Sequence, residues 1–206
     1  KELYKFIEEK LNNKAYDYDC VVPVSGGKDG AYVAYKLKND YGLKVLTITS
    51  RPPLESEIGK NNLIQFVNSG FDHIHITPNQ NAMRTLNKIG FIKKGSPYYG
   101  WLVSIFSVVI KIALQNKIEL IFYGEDGEVE YGGSTETRNK PFYDFEYQKK
   151  VYLENGYKEL SEHFNLNLSK FYFFKYPEND NFFNELKITH WSYFENWDPY
   201  RNYLIS

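Results

Sequence analysis

The chain has 206 residues, 25 basic and 26 acidic, for a formal net charge of -1. That length fits one domain with a sizeable core, or a domain with a small appendage, and the balanced charge offers no broad basic field for nucleic acid. One cysteine excludes an internal disulfide framework and a cysteine-rich metal cluster within these residues, and fits a reducing cytoplasm.

Residues 1–14 place Leu3, Phe6, Ile7 and Leu11 at helical spacing. The apolar run 20–24 reads as a strand that stops at Ser25. Residues 31–40 read as a helix closed by Gly42. A second strand, 44–50, ends at the breaker Arg51-Pro52-Pro53. A helix over 59–68 closes at Gly70, a third strand spans 73–77 and a short helix 81–88. Ser96-Pro97 makes a cap and first-turn pair for a long helix to about Asn116. Its apolar part, 101–114, is too short to span a bilayer and carries Ser104, Ser107 and Lys111, so a buried helix and no membrane span are expected. Residues 119–123 read as a fourth strand leading into Gly124-Glu125-Asp126-Gly127. Strands alternating with helices predict an α/β fold, a mostly parallel sheet flanked by helices, with ligands bound beyond the carboxyl ends of its strands. The loops at 25–30, 49–51 and 124–126 then surround one cleft.

The stretch Ser25-Gly26-Gly27-Lys28-Asp29-Gly30 joins a strand to a helix N-terminus. Backbone N–H groups and the helix dipole make such a turn an anion site. Its glycines let the backbone approach a ligand closely. Ser25 can donate to a phosphate oxygen, Lys28 brings a mobile charge, and Asp29 is a natural Mg²⁺ ligand beside phosphates. The spacing is neither that of the Gly-x-x-x-x-Gly-Lys-Ser/Thr loop nor that of the dinucleotide Gly-x-Gly-x-x-Gly loop. It resembles the Ser-Gly-Gly-x-Asp-Ser loop of the PP-loop ATP pyrophosphatases, with Gly30 where that motif has serine.

From 141 onward the composition shifts: 20 of the 37 aromatic residues lie in 142–206. We therefore divide the chain into an α/β domain, 1–140, and an aromatic-rich extension, 141–206. The extension reads as helical around 150–160 and 182–186, with 171–174 a strand or a buried knot. It can cover the cleft, form an oligomer interface in a homo-oligomer, or pack against further domains. The missing initial methionine at Lys1 suggests a piece of a longer protein. His73 and His75 share a strand face without a nearby cysteine, so a structural role is expected. His163 and His190 stand alone, and Cys20 reads as a small core residue.

Several further segments are similar to the N-acetyl sugar amidotransferases of lipopolysaccharide O-antigen and pseudaminic acid biosynthesis. They are 18–29, Gly59-Lys60-Asn61-Asn62-Leu63, Gly70 to Ile74 with Thr77-Pro78-Asn79, 124–133, and Trp197-Asp198-Pro199-Tyr200-Arg201-Asn202-Tyr203. The run from Gly124 to Gly133 is the most specific. Asp126 stands where that family has asparagine. The family also carries a cysteine-pair segment before the first helix and continues beyond the Trp-Asp-Pro stretch.

The resemblance implies an adenine nucleotide alpha hydrolase-like, Rossmann-like fold and an ATP- and Mg²⁺-dependent conversion of a sugar acetamido group to an acetamidino group. The substrate would be an N-acetylated sugar or nucleotide sugar. Ser25, Gly26, Gly27, Lys28, Asp29, Gly30, Thr49, Ser50 and Gly124 would hold ATP. Lys28, Asp29, Glu125 and Asp126 would carry the chemistry, with Asp29 and Glu125 on the metal. Tyr131, Gly132, Gly133 and Arg84 would meet the sugar, while Glu128 and Glu130 are expected to be solvated. Arg84, Lys93 and Lys94 can equally be exposed charges. No glutaminase nucleophile pair is evident, so a glutamine-hydrolysing, ammonia-supplying subunit is expected. Two alternatives stay open: a tRNA-modifying PP-loop enzyme of thiolase or lysidine type, which would need a basic surface, and an ATP-binding module with weak catalysis.

Overall fold

The computed structural model describes residues 2–11, 17–124, 141–143, 145–151, 171–177 and 185–206. Among these residues five strands form one sheet: β1 (Cys20–Pro23), β2 (Val45–Ser50), β3 (Asp72–Ile76), β4 (Leu120–Tyr123) and β5 (Lys187–His190). The order is β3-β2-β1-β4-β5, and every pairing is parallel. Around it lie α1 (Glu2–Leu11), α2 (Lys28–Asn39), α3 (Glu57–Asn68), α4 (Gln80–Lys94), α5 (Tyr99–Gln115), α6 (Phe145–Val151) and α7 (Pro199–Ile205). This is the parallel α/β sheet flanked by helices that the alternation predicts.

Side chains alternate across the sheet with the strand period of two. Cys20, Val22, Leu120 and Phe122 face α1 and α2, where they meet Leu3, Tyr32, Leu37 and Trp191. Val21, Leu46, Ile48 and Ile121 face α4 and α5, meeting Met83, Leu86, Val103 and Ile110. Helices thus cover both faces, and β2 and β4 are buried at every position. The hydroxyls that β2 brings inside are all satisfied: Thr47 donates to the Asp72 carbonyl at 2.8 Å, Thr49 to the Val24 carbonyl at 2.6 Å, and Ser50 lies 2.9 Å from the Ser104 hydroxyl. Unpaired, each would cost about 1–3 kcal/mol.

Some elements differ from expectation. α5 begins at Tyr99 rather than at Pro97, because the side-chain Oδ1 of Asn87 on α4 takes the Gly100 and Trp101 N–H groups at 2.8 and 3.3 Å in place of a Ser96 cap. α4 runs to Lys94 and ends at Gly95 in a left-handed cap (φ 68°), well past Lys88. β5 escapes a periodicity reading because Ile188 is its single aliphatic residue. Its extended state is set by the parallel pairing to β4 and by reciprocal bonds between Ile188 and Tyr143 of 2.9 and 3.1 Å. The fifth strand of the sheet therefore comes from the aromatic-rich segment. Residues 172–174 form a 3-10 turn with Phe171 and Phe174 buried, the knot of the two readings offered for this stretch. The helical readings around 150–160 and 182–186 fall mainly outside the described residues.

No single helix among the described residues is long and apolar enough to cross a membrane. Nor does any group of three or more His, Cys, Asp or Glu among them gather as a metal site. The Thr47 hydroxyl spends its one proton on Asp72, so the His73 Nδ1–H, 3.0 Å away, donates to it and leaves Nε2 buried without a partner. Burial, with His75 next to it, pushes the His73 pKa down to about 4. His190 does not stand alone: its Nε2 lies 2.7 Å from the Tyr143 hydroxyl. His163 is outside the described residues.

Candidate phosphate-binding cleft

The chain leaves β1 through α2 to reach β2 on one side, and returns from β3 through α4 and α5 to β4 on the other. Strand order reverses between β1 and β4, which is where open parallel sheets leave a crevice at their carboxyl ends. A cavity of about 100 Å³ opens there, lined by Ser25, Gly30, Ser50, Trp101, Tyr123 and Gly124 among others.

The loop is shaped by close backbone contacts. The Val24 N–H still pairs with the Ile48 carbonyl at 2.9 Å, and the chain then turns at Ser25. Gly26 takes φ 81°, and a Cβ built on it would lie 2.2 Å from the Gly59 carbonyl oxygen. Asn62 of α3 donates to the Gly26 carbonyl at 3.2 Å. The 59–63 stretch therefore braces the loop from α3. Gly27 is the N-cap of α2, and no side chain caps it. The first-turn N–H groups keep their donor capacity for whatever occupies the loop.

Gly30, where the resembling motif has serine, sits in the first turn of α2 against the end of β1. A Cβ there would lie 2.6 Å from the Pro23 carbonyl oxygen. Gly124, leaving β4, crosses the same turn so closely that its Cβ would come within 2.6–2.8 Å of Asp29 and Gly30 backbone atoms. Gly30→Ser is therefore expected to lower the unfolding free energy by about 1–3 kcal/mol, the cost of overpacking, and to weaken nucleotide binding rather than restore a phosphate contact. Urea denaturation beside nucleotide titration checks both; a serine variant of unchanged stability and tighter binding would contradict the packing argument.

Asp29 is buried at 5% exposure and is met by donors on both carboxylate oxygens. Trp197 Nε1 and Asn202 Nδ2 reach Oδ1 at 3.1 and 2.8 Å, and Lys28 Nζ reaches Oδ2 at 2.7 Å. The Lys28 ammonium also lies 5.4 Å from the Trp197 ring centroid, a cation–π distance. The described residues fit a phosphate chain: an uncapped helix start, an open glycine turn and a lysine. For Mg²⁺ they offer Asp29 Oδ2 alone. That suits an ion held chiefly by phosphates and water rather than caged by protein.

The other expected residues divide clearly. Ser50 lines the cleft, and Trp101 roofs it by donating from Nε1 to the Ser50 carbonyl at 3.1 Å. The Thr49 hydroxyl is bonded to Val24 and ties β2 to β1 just below the loop. Arg84 and Lys93 are exposed on α4, and Lys94 lies over the Tyr99 ring at 5.1 Å. Glu125, Asp126, Tyr131, Gly132 and Gly133, with Glu128 and Glu130, lie outside the described residues. Trp101 and Tyr123 were not singled out for the cleft by their sequence. Trp197 and Asn202 stood out only inside the 197–203 resemblance, with no role attached.

Fold and site together define a parallel α/β protein with a glycine-rich loop at its switch point. No protein-family model matches the sequence, and no curated protein matches it. Among solved structures the chain is similar to the NMN synthetase from Francisella tularensis (TM-score 0.46, 14% identity, covering 61% of this chain and 52% of that one). It is similar to the NH3-dependent NAD synthetase from Campylobacter jejuni in complex with the nitrate ion (0.47, 18%, 65% and 58%). A third is the U34-tRNA thiolase NcsA from Methanococcus maripaludis with its [4Fe-4S] cluster (0.49, 15%, 99% and 62%). The chain thus spans 52% to 62% of the length of these three.

Proposed function

We propose that this chain is the ATP-using unit of an amidotransferase that turns the acetamido group of an N-acetylated sugar or nucleotide sugar into an acetamidino group. The observation that carries the reading is the uncapped, glycine-lined start of α2 at the switch point, with Lys28 and Asp29 in its first turn. An amide is a poor electrophile because its oxygen leaves badly. Attack of that oxygen on the α-phosphorus of ATP forms the new P–O bond, breaks the bond to pyrophosphate, and gives an O-adenylyl imidate. Ammonia adds to the imidate carbon, AMP departs with the C–O bond pair, and the nitrogen loses its surplus proton to a nearby base. Glu125 and Asp126, which follow Gly124 directly, are the residues we assign to that proton or to a second metal contact.

In this reading the loop N–H groups and Lys28 take the charge that builds on the departing pyrophosphate. Asp29 would hold Mg²⁺, which would supply further neutralisation of that charge. Ser50 and Trp101, which line the cleft, are assigned to the nucleoside end, and Tyr131, Gly132, Gly133 and Arg84 are assigned to the sugar. Cys20 is fully buried, and burial with Asp19 near it pushes its thiol pKa far up, which disqualifies it as a glutaminase nucleophile. We therefore assign ammonia supply to a glutamine-hydrolysing partner subunit.

The test is release of AMP and pyrophosphate from ATP with UDP- or CMP-linked N-acetyl sugars and ammonium. The expected result is stoichiometric formation of AMP, pyrophosphate and an amidine detected by mass. ATP that binds without any cleavage across a panel of such sugars would overturn the proposal.

A further inference from the structure

We propose that the C-terminal segment 195–206 is a latch that sets the phosphate loop, with Trp197 and Asn202 acting as positioning residues on Asp29. This rests on the reading of that loop as a nucleotide site. The two N–H donors that converge on Asp29 Oδ1 come from 168 and 173 residues away, so this oxygen is held from outside the loop while Lys28 of the loop itself meets Oδ2.

The latch is fastened to α2 by contacts that do not involve Asp29. Glu195 accepts from the Tyr32 hydroxyl of α2 and from Trp191 Nε1, each at 2.7 Å. Arg201 pairs with Glu195 at 3.3 Å and lies 4.8 Å from the Tyr32 ring centroid. Burial works to raise the Glu195 pKa, yet hydrogen bonds from Trp191 and Tyr32 and the charges of Arg201 and Lys36 outweigh it and hold the carboxyl below its ordinary range. Trp191 itself is a core residue against Phe122. Asp198 caps α7 by accepting from the Tyr200 and Arg201 N–H groups at 3.0 Å, with Pro199 in the first turn. Trp197 and Asn202 therefore arrive at Asp29 already placed.

The consequence is a division of labour between the two carboxylate oxygens. Oδ1 is engaged by two fixed N–H groups, and Oδ2 is the oxygen shared with Lys28. Carboxylate torsions are soft, so without the latch the group can turn and offer either oxygen to Lys28. The same indole holds Lys28 over its face. Trp197 thereby orders both charged members of the loop.

Calorimetric titration of the full chain with magnesium-ATP tests this through a double-mutant cycle. Trp197→Phe keeps an aromatic ring, smaller than the indole, and removes the N–H. It is expected to weaken binding about ten-fold, the size of one hydrogen bond to a charged group, with the melting temperature little changed. In an Asp29→Ala background, titrated to millimolar nucleotide, the same change should cost nothing more. Asn202→Ser is the second probe and should behave alike. Equal losses in both backgrounds would mean a general structural role and overturn the latch, as would undiminished binding in both single variants. A wild-type chain that takes up no magnesium-ATP would instead bring down the nucleotide reading and the latch with it.

Discussion

Gly26→Ala is expected to lower the unfolding free energy by about 3 kcal/mol or more and to abolish nucleotide binding. Two costs add here. An L-residue held at φ 81° pays about 1–3 kcal/mol in a left-handed conformation. A Cβ 2.2 Å from the Gly59 carbonyl oxygen must also push α3 off the loop, and overpacking of this kind costs a further 1–3 kcal/mol. The obstacle is backbone rather than the end of a flexible side chain, so it cannot step aside cheaply. Relief by moving α3 would break the Asn62 bond to the Gly26 carbonyl and open the turn. The urea midpoint should fall with an unchanged slope, and ATP should no longer protect against melting. A variant that melts and binds like the parent would show that residues 25–30 do not form the turn described here.

The loop was legible because its chemistry is local. Strand, serine, paired glycines, lysine and helix follow one another within 20 residues, and each residue type has a backbone or charge reason to be there. β1, β2 and β4 were legible for a related reason: strands covered on both faces read as apolar runs. β5 has no such run, and its state depends on a partner strand and on Tyr143, which no window centred on residues 187–190 contains. Gly30 shows a different kind of blindness. From the motif it reads as a lost hydroxyl, whereas the packing of α2 on Pro23 and Val24 leaves no room for a Cβ. The partners of Asp29 were hidden by distance along the chain. A tryptophan and an asparagine in a short aromatic segment carry no mark of the carboxylate they meet, and only the path of the chain over α2 brings them there.

Lys28→Met should reduce pyrophosphate release by about 10² to 10³, the effect of removing one group that stabilises developing charge, while the unfolding free energy falls by about 1–3 kcal/mol. The second half follows from burial of the partner. The Lys28 side chain keeps 32% of its surface in solvent but the Asp29 side chain only 7%, so losing the ammonium takes that donor from a buried carboxylate oxygen. Methionine keeps an unbranched stem and removes the charge and its N–H donors. The first half follows from position. The ammonium lies 2.7 Å from Asp29 Oδ2 and 5.4 Å from the indole centroid, in the first turn after the glycines. A phosphate entering that turn offers it a more highly charged partner than the Asp29 carboxylate. Lys28→Arg keeps the charge but substitutes a planar fork for a compact ammonium, so it should recover only part of the rate. Rapid-quench measurement of pyrophosphate separates the outcomes: a loss confined to the chemical step, with nucleotide affinity reduced less, places the lysine on the leaving group. A loss of affinity with the chemical step unchanged would place it on the ground-state phosphates alone, and no loss in either would remove it from the reaction.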